Sequence, residues 1–191
     1  MLIPPALEVP PPAPEVPAWF RTQGGPRLES LGEVSFARLG TPYVAETFYV
    51  DGEALRRLGL RGRAPIWEAV ARGRVASACR IRFLVNLGAE RRRTFFSHSL
   101  ARTWPDSGFS LDRKEVQAFL RLVCRPMEPG DRQDYLFLPE KGLWVRMGDE
   151  APVRFAPGPL VEAIRRIEWE EDGENPGTMT GLLQRYADRQ P

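Results

Sequence analysis

The sequence is poor in the side chains on which much chemistry is built. It has one histidine, His98, two cysteines, Cys79 and Cys124, and two lysines, Lys114 and Lys141. A histidine flanked by Ser97 and Ser99 makes no catalytic dyad by adjacency alone, because such pairs are set by geometry in space. His98 is therefore read as a surface or core residue of a helix. The cysteines lie in separate apolar runs. Neither has a second cysteine or a histidine at metal-ligand spacing, which argues against a zinc site. Both read as small core residues of a reducing compartment, with a Cys79–Cys124 disulfide as the alternative. No apolar run approaches the roughly 18 residues that a membrane span requires. The N-terminus lacks a basic segment ahead of an apolar stretch, and its prolines would break the helix of a secretory leader, so the expected location is cytoplasmic. A dominant charge is missing too. The net charge of +2 and the short run Arg91-Arg92-Arg93, read as a solvated helix start, give no support for a nucleic-acid partner. The acidic run Glu168, Glu170, Glu171, Asp172 lacks the spacing of a calcium loop and reads as a solvated loop. No metal and no cofactor is implied.

What the chain does have is 191 residues, 42% of them hydrophobic and 27% charged. That is enough for one domain with a core of its own. Eight of the nineteen prolines fall before residue 27, which favours extended polyproline conformation and opposes helix or ladder. Residues 1–29 are therefore expected to be a disordered tail and residues 30–191 the domain. Trp19 and Phe20 are the only residues of the tail worth burying. They make residues 1–26 a candidate arm for a protein partner.

From Ser30 the pattern becomes that of a folded chain. Residues 33–39 and 43–50 read as strands around a Gly40-Thr41-Pro42 turn, rich in β-branched and aromatic side chains. Residues 51–60 and 65–72 read as short helices, the second opened by Pro65 and closed by Gly73. Residues 75–85 alternate clearly, with Cys79, Ile81 and Phe83 on one face and Arg80 and Arg82 on the other. A helix over 89–104 carries Phe96, Leu100 and Trp104 on one stripe. Asp112 and Glu115 predict a capping box for the next helix, which presents Val116, Phe119, Leu120 and Val123. Three short strands at 135–138, 143–147 and 153–155 follow. A helix with Leu160, Ile164 and Ile167 inward comes next, and a last helix covers about 178–186. No strand–helix alternation is sustained, so the class is α+β: an antiparallel sheet packed by helices on one face.

The order of motifs in the second half resembles the chalcone-isomerase-like family, in particular its bacterial members. The matching features are Gly130-Asp131, Leu138-Pro139-Glu140-Lys141-Gly142, Met147-Gly148, the helix over Leu160–Ile167, Asn175-Pro176 and Leu182-Leu183. Upstream, Tyr43–Val50 and Arg80–Val85 look like an early and a central strand of that family. Phe36 stands where the family places an arginine, with Arg38 two residues on, and Ile167-Glu168-Trp169-Glu170 carries extra acid. The resemblance implies an open-faced sandwich with a cleft between sheet and helices. It also implies a small amphipathic or phenolic ligand. A fatty-acid binder needs an arginine at the base of an apolar cleft, for bidentate contact with a carboxylate. An isomerase needs donors at a developing enolate. Arg38 and Tyr49, near the family's site positions, and Arg80 and Arg82, on the polar face of the central strand, are the candidate ligand-binding residues. The displaced arginine favours non-catalytic binding of a fatty acid or similar molecule. The alternatives are an isomerase of a phenolic enone and a scaffold acting through the proline-rich arm.

Overall fold

The computed structural model describes residues 15–38, 41–169 and 178–189, without the side chains of Arg38 and of residues 178–180. Gly40, the acids Glu170, Glu171 and Asp172, and the Asn175-Pro176 pair lie outside the described residues. In chain order the elements are α1 (Ala18–Thr22), β1 (Glu29–Arg38), β2 (Thr41–Val50), α2 (Gly52–Arg57), α3 (Arg63–Ala71) and β3 (Ser77–Phe83). They continue with α4 (Ala89–Thr103), α5 (Lys114–Val123), β4 (Arg132–Leu138), β5 (Gly142–Met147), β6 (Val153–Phe155), α6 (Pro159–Trp169) and α7 (Thr178–Asp188). The six strands form one sheet in sequential order, every neighbouring pair antiparallel. This is the expected α+β class. Among the described residues no helix is long and apolar enough to cross a membrane.

Side-chain alternation divides the sheet into two faces. Phe48, Cys79, Tyr135 and Val145 are cross-strand neighbours in one register row. They face the layer that holds the core residues of α2 to α7, from Leu55 and Ile66 through Phe119 and Ile164 to Leu183. In α5 the inward residues Val116, Phe119, Leu120 and Val123 are all fully buried, each contributing about 1.5–3 kcal/mol by leaving water. The expected Asp112 cap is not made. The helix begins after Arg113, whose side chain makes no cap, and the amide of Asp112 donates instead to Ser110 Oγ at 3.1 Å. A Ser-based turn has taken up the amide and carried Asp112 one residue outside the helix. The cap that is made is Asp51, whose carboxylate accepts from the Ala54 amide at 2.8 Å and starts α2 directly at the end of β2.

The second face of the sheet is covered by residues 15–28, from within the stretch assigned to the tail. Trp19 and Phe20 in α1, with Leu28, are buried against Tyr49, Ala78, Leu136, Leu138 and Trp144. The Trp19 indole Nε1 donates to Asp134 Oδ2 at 2.8 Å, and Arg80 grips the same carboxylate through Nε and Nη2 at 2.7 and 2.8 Å. Gly25 lets the chain return past α1: a Cβ there would lie 2.5 Å from the Phe20 carbonyl oxygen. The two aromatics thus find their partner in the chain's own sheet. Replacing Trp19 by alanine removes a buried indole and a hydrogen bond to a buried carboxylate. It is expected to destabilise the fold by about 3 kcal/mol or more, read as a lower urea midpoint.

Candidate ligand site

The sequence candidates fall mostly on the face away from the helices. Tyr49 is buried under the N-terminal segment, its hydroxyl donating to the Glu15 carbonyl at 3.1 Å and its ring 5.8 Å from Phe20. Burial pushes its pKa up to about 12, so it stays a neutral phenol. The Arg80 guanidinium is spent on Asp134, and the hydrogen bonds to that carboxylate raise its pKa. Arg82 is exposed on the same face, 3.5 Å from Glu33. The side chain of Arg38 lies outside the described residues. The alternation that put Cys79 and Ile81 toward the helices necessarily sends Arg80 and Arg82 the other way.

A cleft of about 830 Å³ opens instead between α3, α6 and the rim of the sheet at Leu138 and Gly142. Two helical stripes face each other across it. One is Ala64, Trp67, Glu68, Ala71 and Arg72; the other is Val161, Glu162, Arg165 and Arg166. Both follow the three- and four-residue spacing of a helix face. Two of the arginines are matched by acids on their own helix, Arg72 to Glu68 at 3.1 Å and Arg166 to Glu162 at 2.5 Å. Arg165 is different. Its guanidinium lies 5.3 Å from the centre of the Phe137 ring, with Gly73 beside it, where a Cβ would come within 2.6 Å of Cζ. Its Nε is buried with no acceptor, and burial holds its pKa below the usual guanidinium value. Among the described residues it has no ion-pair partner. Trp67 contributes only its ring, because its Nε1 already donates to the Trp169 carbonyl at 2.6 Å.

Neither Arg165 nor Trp67 was among the sequence candidates. The signal was present in the helical phase. Arg165 lies four residues after Val161, at the border of the buried stripe.

The layer between sheet and helices also holds a cluster that crosses three elements. Carboxylate oxygens of Glu46 in β2 and Glu168 in α6, and Sγ of Cys79 in β3, lie within 4.8 Å of one another. Those donors are close enough to share a divalent ion. Burial raises the Cys79 thiol well above its ordinary pKa and pushes Glu168 up to about 8. At neutral pH both groups therefore hold their protons, which opposes metal binding. Cys79 and Cys124 are both free thiols, so the disulfide alternative is not realised.

Because Glu168 binds its proton more tightly folded than unfolded, its protonation supports the fold fully below pH 4.5 and the support is lost as pH rises to about 8. Stability of the native chain is expected to fall across that interval. In Glu168→Gln that part of the slope should disappear, as measured by urea unfolding at stepped pH.

No family model matches the chain, and no curated protein matches its sequence. The crystal structure of a fatty-acid binding protein of Arabidopsis thaliana superposes with a TM-score of 0.63 at 16% identity, over 84% of this chain and 86% of the other. Identity at that level speaks to fold alone. The fold, an open sheet of six antiparallel strands with α2 to α7 on one face and α1 on the other, matches this neighbour of chalcone-isomerase-like fold.

Proposed function

We propose that the protein binds a fatty acid or similar amphipathic carboxylate, without catalysis, in the cleft between α3 and α6. The observation that carries this reading is Arg165, a half-buried guanidinium held between an aromatic ring and a glycine, with no carboxylate of its own among the described residues. Desolvation of that cation favours a charge-assisted contact with a ligand carboxylate. The cleft volume lies within the range of small-molecule sites, and Trp67, Leu138 and Val161 supply apolar wall. The fatty-acid binding protein that shares the fold supports the same ligand class. Phe36 supports binding over isomerisation: where the family resemblance calls for an arginine, this chain packs an aromatic ring on its core and offers no donor.

The test is titration with laurate, followed by calorimetry and native mass spectrometry. Saturable one-to-one binding is expected. Arg165→Gln should weaken it by about tenfold or more, the loss of a charged hydrogen-bond donor. Gly73→Ala keeps the charge but crowds the guanidinium, and should weaken binding less. If laurate and longer fatty acids fail to bind, or bind Arg165→Gln as tightly as the native chain, the reading falls.

A further inference from the structure

The acids of the cleft narrow its ligand further than its arginines do. Three carboxylates line it, Glu68, Glu140 and Glu162. Glu68 and Glu162 are each held by an arginine of their own helix, Arg72 and Arg166. Glu140 is exposed at the rim, and among the described residues its carboxylate has no hydrogen bond and no ion pair. The cation next to it in sequence, Lys141, reaches the N-terminal segment instead, where its Nζ lies 3.6 Å from the place of a Cβ on Gly24.

The backbone of Glu140 is unusual as well. It is the third residue of the turn between β4 and β5, which the Lys141 amide closes on the Leu138 carbonyl at 3.2 Å. Its φ is 60°, and among the described residues it is the only non-glycine with a positive φ. That region is open to glycine and costly for a glutamate. No packing or hydrogen bond of the side chain offsets the cost. Glycine would make the turn with less strain. Strain retained at the lip of a cleft points to a side chain that acts there.

Charge defines what it can act on. A plain fatty acid would satisfy Arg165, but it would bring its carboxylate into the same cleft as an unpaired acid, and like charges oppose each other. A ligand with a cation beside its carboxylate balances both residues. Trp67 suits that cation. Its Nε1 is spent on the Trp169 carbonyl, so its ring is what it offers to the cleft. An aromatic ring attracts ammonium groups, quaternary ones included.

We infer that the ligand is an acylated zwitterion, its carboxylate on Arg165, its ammonium group shared by Glu140 and the Trp67 ring, and its chain along Leu138 and Val161. This deepens the carboxylate reading of the cleft and rests on it. Glu140 is then the residue that selects the zwitterion over the plain fatty acid. The volume of about 830 Å³ leaves room for the larger head group.

The experiment is calorimetric titration of the full chain with lauroylcarnitine and with laurate, which have the same acyl chain. The native chain should bind lauroylcarnitine about tenfold more tightly, the scale of one cation held by a ring and an acid. Glu140→Gln removes the charge alone, and Glu140→Gly removes the charge together with the strain. In both variants the two ligands are expected to bind alike. Glu140→Gly should also raise the urea midpoint, so that its lost preference is not the result of a damaged fold. Equal binding of the two ligands by the native chain, or a preference that survives in either variant, overturns the inference. Laurate binding without any preference overturns it alone and leaves the carboxylate reading in place. Failure of both ligands to bind removes the two together.

Discussion

Every side chain from Gln133 to Leu138 is buried, and the rest of the molecule is arranged around that fact. A strand covered on both faces cannot turn a polar residue to water, so each one needs a fixed partner. β4 has two such residues in succession, and alternation sends them to opposite sides. Asp134 goes to the outer face, where Arg80 and Trp19 saturate it. Gln133 goes to the inner face, where it meets Arg92 and Tyr135. One strand thereby ties the N-terminal segment to one side of the sheet and α4 to the other. Loss of either set of partners would leave a buried polar group unpaired, a penalty of about 1–3 kcal/mol per group.

The two arginines on the inner side illustrate different uses of a desolvated cation. Arg165 stands at an opening wide enough for an organic molecule, next to a ring whose polar atom is already occupied. Arg92 is enclosed: it rests on the Phe83 ring, and its Nε and Nη1 are buried without an acceptor. A guanidinium in the first setting suits the end of a long ligand. In the second it fastens α4 to the sheet through Gln133. Glu168 and Cys79 lie in the same layer and hold their protons at neutral pH, so neither adds charge there.

The strands and helices were largely legible, because periodicity two and periodicity 3.6 are local properties of the chain. Cys79, Ile81 and Phe83 announced the inner face of β3, and Val116, Phe119, Leu120 and Val123 that of α5. β4 read as starting at Tyr135, because Gln133 and Asp134 look like loop residues until their partners, 41 and 115 residues away for Arg92 and Trp19, are in place. The site was less legible for the same reason. Arginines were weighed by the strand they sit on, which drew attention to Arg80 and Arg82. Arg92 and Arg165 differ from their neighbours Arg91 and Arg166 only in helical phase. For Arg92, counting back four residues from Phe96 along the buried stripe would have placed it inward.

The Trp19–Asp134 contact also orders events in time. Residues 15–28 leave the ribosome ahead of the strands they cover, and that surface is completed only when β4 and β5 have been made and paired. Until then the indole and its neighbours have nowhere to dock, and the outer face of the half-built sheet is bare. Closing a loop of that length is an entropic cost that no local preference offsets. The part of the fold synthesised first is thus among the last to become native, and the growing chain depends on what shields that apolar face in the interval.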